Sequence, residues 1–573
     1  MTTYTVASGQ TSAGLMLGKG DREIVLAGGT ASGTVAYVGS LVIVSGAALA
    51  TTVNNSGFAV VYAGGTASGT AVTSGGNLIV FGGGSAGATS VGSGGLDLLS
   101  GGTATATQVA GSGGEIVYAG GMALGATVSA GGSQSIQSGG TSSATTVAGG
   151  TQYVDSGGVS TATTVLNGSG LEVVEAGGTA NAAVASGGAQ LSVSGLAVGA
   201  AVGSASADFV YAGGMASGTV LNGGGQEILS GGTARNTTVG GGGSTQFILA
   251  EGTASATVVN SGGFQAVRGG DASGTVVNAG GTQYVSSGGM ADHTAINGGT
   301  LTVALGATLS GVTLDGGRLV LQDTGNDVID SRGADTIQAG GGSDMVFASG
   351  VSASVTGGAG ALTFVAGAGS DTAGGGAGTD ILYGGSGADA LTGGAGTNSI
   401  LVAGIGNATL AGGAGGKALL YGGAGANVFL GSVAGGDTLV GGSGSNVINL
   451  TSNDTAFGGP STADTFDTGA GSGLIVEGTG TTQVNLGLGH LTAFAGTGGD
   501  TYSDARGQGG GADIIGFKAT DHLVLTGGFT AADVATTLRT ATTGAFGTAL
   551  TLGDGTRITL FGASLAAGQI TTG

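Results

Sequence analysis

One glycine-rich phrase recurs through the first half of this chain. It reads AGGTASGTV at Ala27–Val35, AGGTASGTAV at Ala63–Val72, AGGMASGTV at Ala212–Val220 and GGDASGTV at Gly269–Val276. The second small residue of each Gly-Gly-like turn returns every 17 to 20 residues, which gives 16 units over residues 1–320. A period of this size is typical of a solenoid, since one unit cannot bury an apolar face alone and must stack on its neighbours.

Each unit carries two short β-prone pieces separated by Gly, Ser and Asn turns. One piece is Thr-Val-like, as in Thr275–Val277, and the other alternates, as in Gln283–Val285. Such strands are too short to be stable alone, but stacked coils pair with the coils above and below. We therefore predict an all-β chain whose residues 1–320 form a parallel β-solenoid of about 16 coils of 18–19 residues.

The composition excludes several other classes of protein. The chain has 573 residues, of which 137 are Gly, one is Pro and none is Cys, and only 8% are charged. Glycine without a three-residue period excludes collagen, and low charge with 40% apolar residues argues against disorder. A net charge of −21 argues against nucleic acid as a partner and is compatible with cations. The absence of Cys excludes disulfides and thiolate metal sites.

The phrases over about residues 20–310 resemble the AIDA-type repeats of bacterial autotransporter adhesins. The resemblance implies a β-helix exposed at the cell surface, with adhesion or aggregation as its role. The N-terminus, MTTYTVASGQ, lacks the basic and apolar regions of a signal peptide, and no run of about 18 apolar residues predicts a transmembrane helix. We expect a secreted or cell-surface protein without a transmembrane segment.

A second repeat begins near Leu321. Of the 19 acidic residues that follow residue 320, 18 are Asp, and Glu477 is the only Glu. The segments GGAGTDILY, GGSGADALT and GGAGTNSIL follow one another from Gly375 to Leu401 with a period of nine. They resemble the RTX nonapeptide GGxGxDxUx, which implies a Ca²⁺-binding parallel β-roll over residues 321–510.

The carboxylates of this repeat suit a hard cation. Ca²⁺ takes six to eight oxygen ligands, and Asp side chains together with the carbonyls of stacked glycine turns supply them. The glycines of these turns are expected to adopt backbone conformations that other residues resist. The alternative is a glycine-rich roll that holds no metal. The predicted ligands of several Ca²⁺ ions are Asp327, Asp335, Asp344, Asp371, Asp380, Asp389, Asn398, Asn407, Asn427, Asp437, Asn446 and Asp464.

The last segment, residues 511–573, differs from both repeats. GADIIGFKATDHLVL at Gly511–Leu525 resembles the segment that closes many RTX proteins, AADVATTLRTA predicts a short helix, and LTLGDGTRITLFG predicts a hairpin with Asp-Gly at its turn. By resemblance this segment is a small β cap with an uncleaved signal for type I secretion machinery. Ca²⁺-dependent folding outside the cell would fit such export.

No catalytic set emerges from the sequence. The three histidines, His293, His490 and His522, are interpreted as surface or turn residues, and we expect no enzyme activity. The predicted function is a secreted, calcium-binding adhesive or structural surface protein: an adhesin, a biofilm-matrix protein or a self-assembling component of the surface-layer type. Its expected partners are its own copies or cell-surface glycans and proteins. The alternative is a polysaccharide lyase or epimerase, since such β-helix enzymes also carry RTX modules.

Tyr62, Phe81, Tyr118, Tyr211 and Tyr284 occupy similar places in their units. Stacked in register, they would form an aromatic ladder, either as packing support between strands or as a stripe that contacts sugar or protein.

Overall fold

The computed structural model describes residues 1–460, 463–562, 564–566 and 568–573. The chain divides into two compact units, Met1–Thr294 and Ala295–Gly573, which are treated separately below. The predicted boundaries at residues 320 and 510 remain predictions. No described helix is long and apolar enough to cross a membrane.

The first unit is a parallel β-solenoid, as predicted. Each coil contributes one strand to each of three sheets, here called A, B and C; one coil runs through Phe58–Val61, Thr66–Ser68 and Ala71–Val72. Neighbouring coils pair residue for residue, so that Phe58 lies between Leu41 and Asn77 in sheet A. This register stacks equivalent positions of successive coils in straight columns.

The strands of sheet A in this unit are Thr3–Val6, Arg22–Val25, Leu41–Val44, Phe58–Val61, Asn77–Phe81, Leu96–Ser100, Gly114–Val117, Ser133–Ile136, Thr151–Val154, Leu171–Val174, Gln190–Val193, Ala207–Val210, Gly225–Ile228, Thr245–Ile248, Phe264–Val267 and Thr282–Val285. Those of sheet B are Thr11–Ala13, Thr30–Ser32, Ala47–Leu49, Thr66–Ser68, Ser85–Gly87, Thr103–Thr105, Met122–Leu124, Thr141–Ser143, Val159–Thr161, Thr179–Asn181, Leu196–Val198, Met215–Ser217, Thr233–Arg235, Thr253–Ser255, Asp271–Ser273 and Met290–Asp292. Those of sheet C are Met16–Leu17, Val35–Ala36, Thr52–Val53, Ala71–Val72, Ser90–Val91, Gln108–Val109, Thr127–Ser129, Thr146–Ala148, Thr164–Leu166, Val184–Ala185, Ala201–Gly203, Val220–Asn222, Thr238–Gly240, Val258–Val259 and Val276–Asn278.

The expectation of two strands per coil is wrong for this unit. The Gln-Tyr-Val piece lies in sheet A and the Thr-Val piece in sheet C, but Thr66–Ser68 forms a third strand between them. Its central Ala67 is buried and is the only side chain of that strand that faces the core. A single methyl group gives no visible apolar alternation, which is why the third strand escaped the sequence pattern.

The two glycines of each repeated phrase have different roles. Gly64 has φ +79°, a conformation that favours glycine, so it sets the corner after sheet A. Gly65 has no such φ, but a Cβ there would lie 2.3 Å from the carbonyl oxygen of Val44 in the coil before it. The second glycine is therefore required by close approach of stacked backbones.

The second unit is a parallel solenoid in which two sheets, D and E, supply most strands. Sheet D contains Thr300–Val303, Arg318–Leu321, Thr336–Gln338, Ser354–Thr356, Thr372–Gly374, Asp389–Thr392, Ala408–Ala411, Val428–Leu430, Val447–Leu450, Ala463–Thr468, Thr481–Leu486, Thr501–Ala505, His522–Thr526 and Ile570–Thr572. Sheet E contains Ala295–Asn297, Val312–Asp315, Val328–Ser331, Ser343–Ala348, Ala361–Val365, Ile381–Tyr383, Ile400–Val402, Leu419–Tyr421, Thr438–Val440, Thr455–Phe457, Gly473–Val476, His490–Phe494, Gly511–Ile515, Thr542–Gly544, Gly547–Thr551 and Arg557–Phe561. One further strand, Thr308–Ser310, lies outside both sheets.

Both local predictions for the last segment hold. Helix α1 spans Ala531–Thr540 and begins with a capping box, in which Thr530 and Asp533 bond each other's backbone N–H groups. Strands Gly547–Thr551 and Arg557–Phe561 pair antiparallel around the Asp-Gly turn. The predicted secretion signal also includes residues 563 and 567, which lie outside the described residues.

Candidate metal centre

The acidic residues of the second repeat lie in two rows, one at the start of the strands of each sheet. The predicted ligands at sheet D are Asp335, Asp371, Asp389, Asn427, Asn446 and Asp464, and those at sheet E are Asp327, Asp344, Asp380 and Asp437. All ten are buried. Successive coils advance by 17 to 19 residues, but neighbours in a row lie 17 to 57 residues apart. Some coils carry another residue at the row position: Ala353 and Ala408 at sheet D, and Leu362, Ser399 and Ala418 at sheet E.

The buried carboxylates are held by backbone N–H groups of two coils. Asp389 Oδ1 accepts from the N–H of Asp371 in the preceding coil at 2.9 Å, while Oδ2 accepts from the N–H of Gly385 in its own turn at 2.7 Å. Asp371 accepts from Ala353 in the same way, at 2.6 Å. The carboxylates thus fasten consecutive glycine turns to one another.

The glycine turns stack with their backbones almost in contact. A Cβ on Gly387 would lie 1.7 Å from the carbonyl oxygen of Gly369, and one on Gly378 would lie 2.2 Å from that of Gly360. Neither Gly387 nor Gly378 has a positive φ. The prediction that these glycines adopt backbone conformations that other residues resist is therefore wrong at these positions. Glycine is required here because the turns stack so closely that no side chain fits between them.

Two of the predicted ligands are out of phase with the rows. Asn398 and Asn407 are exposed, and the buried positions next to them are occupied by Ser399 and Ala408. The Ser399 hydroxyl oxygen accepts from the N–H of Asp380 at 3.5 Å, as a carboxylate does elsewhere. A strict count of nine misplaces both asparagines, because the coils here are one residue longer than 18.

The sequence analysis missed five buried aspartates in or near these rows: Asp323, Asp454, Asp500, Asp504 and Asp521. Asp521 lies in the segment Gly511–Leu525, which was predicted only to close the repeat. Asp454 Oδ1 accepts from the N–H of Asp437, and Asp521 Oδ1 accepts from that of Asp500. Both contacts continue the pattern of the rows. A search for buried positions 17 to 21 residues apart would have found them.

Several of these carboxylates lack a compensating charge. Burial, with the nearby carboxylates of Asp323 and Asp344, raises the pKa of Asp327 to about 7. Burial likewise raises the pKa of Asp371 and of Asp380, although backbone N–H donors oppose the shift. Oδ2 of Asp327 and Oδ2 of Asp380 are buried without a hydrogen-bond partner. A cation at these turns would stabilise the ionised carboxylates.

One cation of the protein already sits on turn carbonyls. The Lys518 ammonium donates to the carbonyl oxygens of Gly496 and Gly498, the latter at 2.9 Å. These glycines belong to the turn that precedes Asp500, so the ammonium occupies the kind of position that a metal ion would take along the stack. The turns therefore present carbonyl oxygens that a positive charge can reach.

The donor set fits Ca²⁺ with one restriction. Carboxylate and carbonyl oxygens are the ligands that this ion prefers. In the described part of the chain, however, no three His, Asp or Glu side chains converge as a metal-binding group. Any Ca²⁺ held here would take one or two carboxylates, such as Asp371 with Asp389, and would draw its remaining ligands from turn carbonyls and water.

Two histidines lie beside aspartates at the surface. His293 Nδ1 is 2.8 Å from Asp292 Oδ1, and His490 Nε2 is 3.1 Å from Asp513 Oδ2. The His293 side chain is 75% exposed and that of His490 is 55% exposed. Both pairs are exposed, and neither belongs to a group of three His, Asp or Glu in the portion the structure describes.

The family comparison matches a segment of the first unit. Residues 202–263 match the family described as adhesin of bacterial autotransporter system, probable stalk. Among solved structures, the TibC-catalysed hyper-glycosylated fragment of TibA is 34% identical, over 48% of this chain and 97% of that chain, with a TM-score of 0.42. No curated protein matches the chain.

Proposed function

We propose that the chain is a calcium-dependent adhesin exported to the cell surface, on the premise that the repeats of its first unit are of the AIDA adhesin type, whose family model matches residues 202–263. The matched family is described as an adhesin and probable stalk of bacterial autotransporters. The finer points of the proposal are the role of Ca²⁺, the type I export route and the identity of the surfaces bound.

Two features of the glycine turns support the calcium part of the proposal. Buried aspartates without a cationic partner, such as Asp380, lie beside stacked carbonyls of the kind that Lys518 contacts. Ca²⁺ would make these turns rigid by joining carboxylates and carbonyls of successive coils. In low Ca²⁺ the same turns would be looser, which suits passage through a secretion channel before folding.

Adhesion and its Ca²⁺ dependence are tested together with beads coated with the full chain. Bead attachment to bacterial cells is counted in millimolar Ca²⁺ and in chelator, with beads carrying heat-denatured chain as the control. The proposal expects attachment above the control in Ca²⁺ and a clear loss in chelator. Attachment no greater than the control contradicts the adhesin, and attachment equal in both buffers contradicts the calcium part.

A further inference from the structure

The outer face of sheet A differs sharply between two successive stretches of the first unit. In the six coils from Arg22 to Tyr118, three positions per coil point outward: the first, third and fifth residues counted from the start of each strand. Thirteen of these eighteen positions are apolar or aromatic, and none is acidic. In the next six coils, from Ser133 to Leu229, seven of the eighteen are apolar or aromatic and three are acidic.

The middle column of this face is wholly aliphatic. It consists of Ile24, Ile43, Val60, Ile79, Leu98 and Ile116, which are direct partners in neighbouring strands. All except Val60 retain exposure beyond that of core residues, because each faces away from the solenoid interior. We call the outward residues of these six coils the aliphatic face.

Aromatic side chains widen this face. Phe58 is 39% exposed and Tyr62 is 45% exposed, and the Tyr62 ring stacks on Phe81 with centroids 5.3 Å apart. Tyr118 follows in the same column as Tyr62. Tyr284 does not belong to that column, since it lies within its strand and pairs with Ala266. Of the predicted ladder, Tyr62, Phe81 and Tyr118 thus form an edge of the aliphatic face, while Tyr211 lies in the same column beyond these six coils.

We propose that the aliphatic face is a self-association surface that packs against the same face of a second copy of this chain. Charge favours that partner. The chain carries a net charge of −21, so most pairs of surfaces from two copies bring carboxylates together. On this face the only charged residue is Arg22, at one end. Two copies can therefore bring these faces together without repulsion between carboxylates.

Shape favours the same partner. The strands of this face pair in register from coil to coil, and two β-sheets pack face to face about 10 Å apart. Six coils spaced about 4.8 Å apart give a face about 24 Å long and about 13 Å wide. Patches of this size on a monomer often mark interaction sites. This area is below the roughly 800 Å² per partner of stable complexes, so a single pair of chains is expected to bind weakly. Where many copies are displayed together, multivalency increases the strength of binding.

The test measures the oligomeric state of the full chain by sedimentation velocity over a wide concentration range. The double variant Ile43→Glu/Ile79→Glu places two carboxylates on the face and is expected to weaken dimerisation about a hundredfold. The matched control is Ser192→Glu, which lies in the same outward column beyond the aliphatic face. The milder Ile43→Thr/Ile79→Thr keeps β-branched side chains and is expected to weaken dimerisation about tenfold.

A second readout uses the absence of Cys from the natural chain. A single Ile79→Cys is treated with a short bismaleimide and compared with Ser192→Cys. Preferential cross-linking at position 79, present with and without chelator, supports the proposal. A monomer at all concentrations, equal cross-linking at both positions, a dimer unaffected by both double variants, or a dimer that needs Ca²⁺ each overturns it.

Discussion

Gln134 donates through Nε2 to the Glu115 carboxylate of the preceding coil, 2.6 Å away and inside the first unit. The contact belongs to an inward column of sheet A in which Gln283, Gln265 and Gln246 each donate to the residue one coil before. The second run of glutamines ends on Asp208, as the first ends on Glu115. Each run of hydrogen-bonded glutamine side chains thus ends on a carboxyl group, which can only accept hydrogen bonds when it is ionised.

The buried acids of this column make the first unit more stable at acidic pH. Burial raises the pKa of Glu172 from 4.5 to about 7, and hydroxyl donors such as Ser160 only partly oppose the shift. The folded state therefore holds a proton that the unfolded state releases between pH 4.5 and 7. The contribution of this group to the free energy of unfolding is fully present below pH 4.5 and declines between pH 4.5 and 7. Above pH 7 the free energy of unfolding is therefore lower by roughly 3 kcal/mol because of this group.

Replacement Glu172→Gln tests this account. Gln is the natural residue at this position in other coils, so the variant keeps the shape and removes the charge. We expect its guanidinium midpoint, followed by circular dichroism, to exceed that of the natural chain at pH 8 and to match it near pH 4. The exposed Glu175→Gln serves as the control. A natural chain equally stable at both pH values would contradict the account.

Chelation of Ca²⁺ is expected to loosen the second unit alone. Hydrogen exchange of the full chain, followed by mass spectrometry, should show faster exchange of the sheet D and E amides in chelator. The amides of sheets A, B and C have no aspartate rows beside them and should exchange at unchanged rates. Equal protection of sheets D and E in both buffers would count against a metal at these turns.

The periodicity of the sequence was enough to predict the solenoid, but not the contents of its coils. The sheet B strands were missed because Ala67 and its equivalents add only a methyl group to the core. The inward column escaped the sequence analysis because glutamines such as Gln265 and Gln283 are polar and give no apolar signal of burial. Hydrogen bonds between neighbouring coils satisfy these side chains, and such partners become visible only when the coils are stacked.

The nine-residue count places the candidate residues in the rows where the coil length is constant and misplaces them where it changes. Asp371, Asp380 and Asp389 occupy the rows because the spacing there is regular. Asn398 and Asn407 fall outside them because the register is set by pairing between strands, which absorbs an extra residue in the turn. Residue counting cannot locate that adjustment, whereas the alternation of buried positions can.

Removal of one row carboxylate should weaken Ca²⁺ binding. Asp371→Asn keeps the side chain's shape and leaves a neutral oxygen for the N–H of Ala353, but it removes charge from the turn. We expect affinity at the affected turn, measured by calorimetry on the full chain, to fall about tenfold or more, with one fewer tight site. The control is Asp330→Asn, whose carboxylate pairs with Arg332 outside the rows. Equal isotherms for both variants would exclude Asp371 as a ligand.

The stacking of glycine turns predicts which glycines tolerate a methyl group. In Gly387→Ala the new Cβ would lie 1.7 Å from the Gly369 carbonyl oxygen, so the turns must separate at a cost of about 1–3 kcal/mol. Gly374→Ala is the matched control, because nothing lies within 4 Å of a Cβ there and its φ is not positive. We expect the first variant to lower the thermal midpoint of the second unit and the second to leave it unchanged or slightly raised, since Ala reduces the freedom of the unfolded chain. If both variants unfold at the natural midpoint, the backbones at this turn lie further apart than the structure places them.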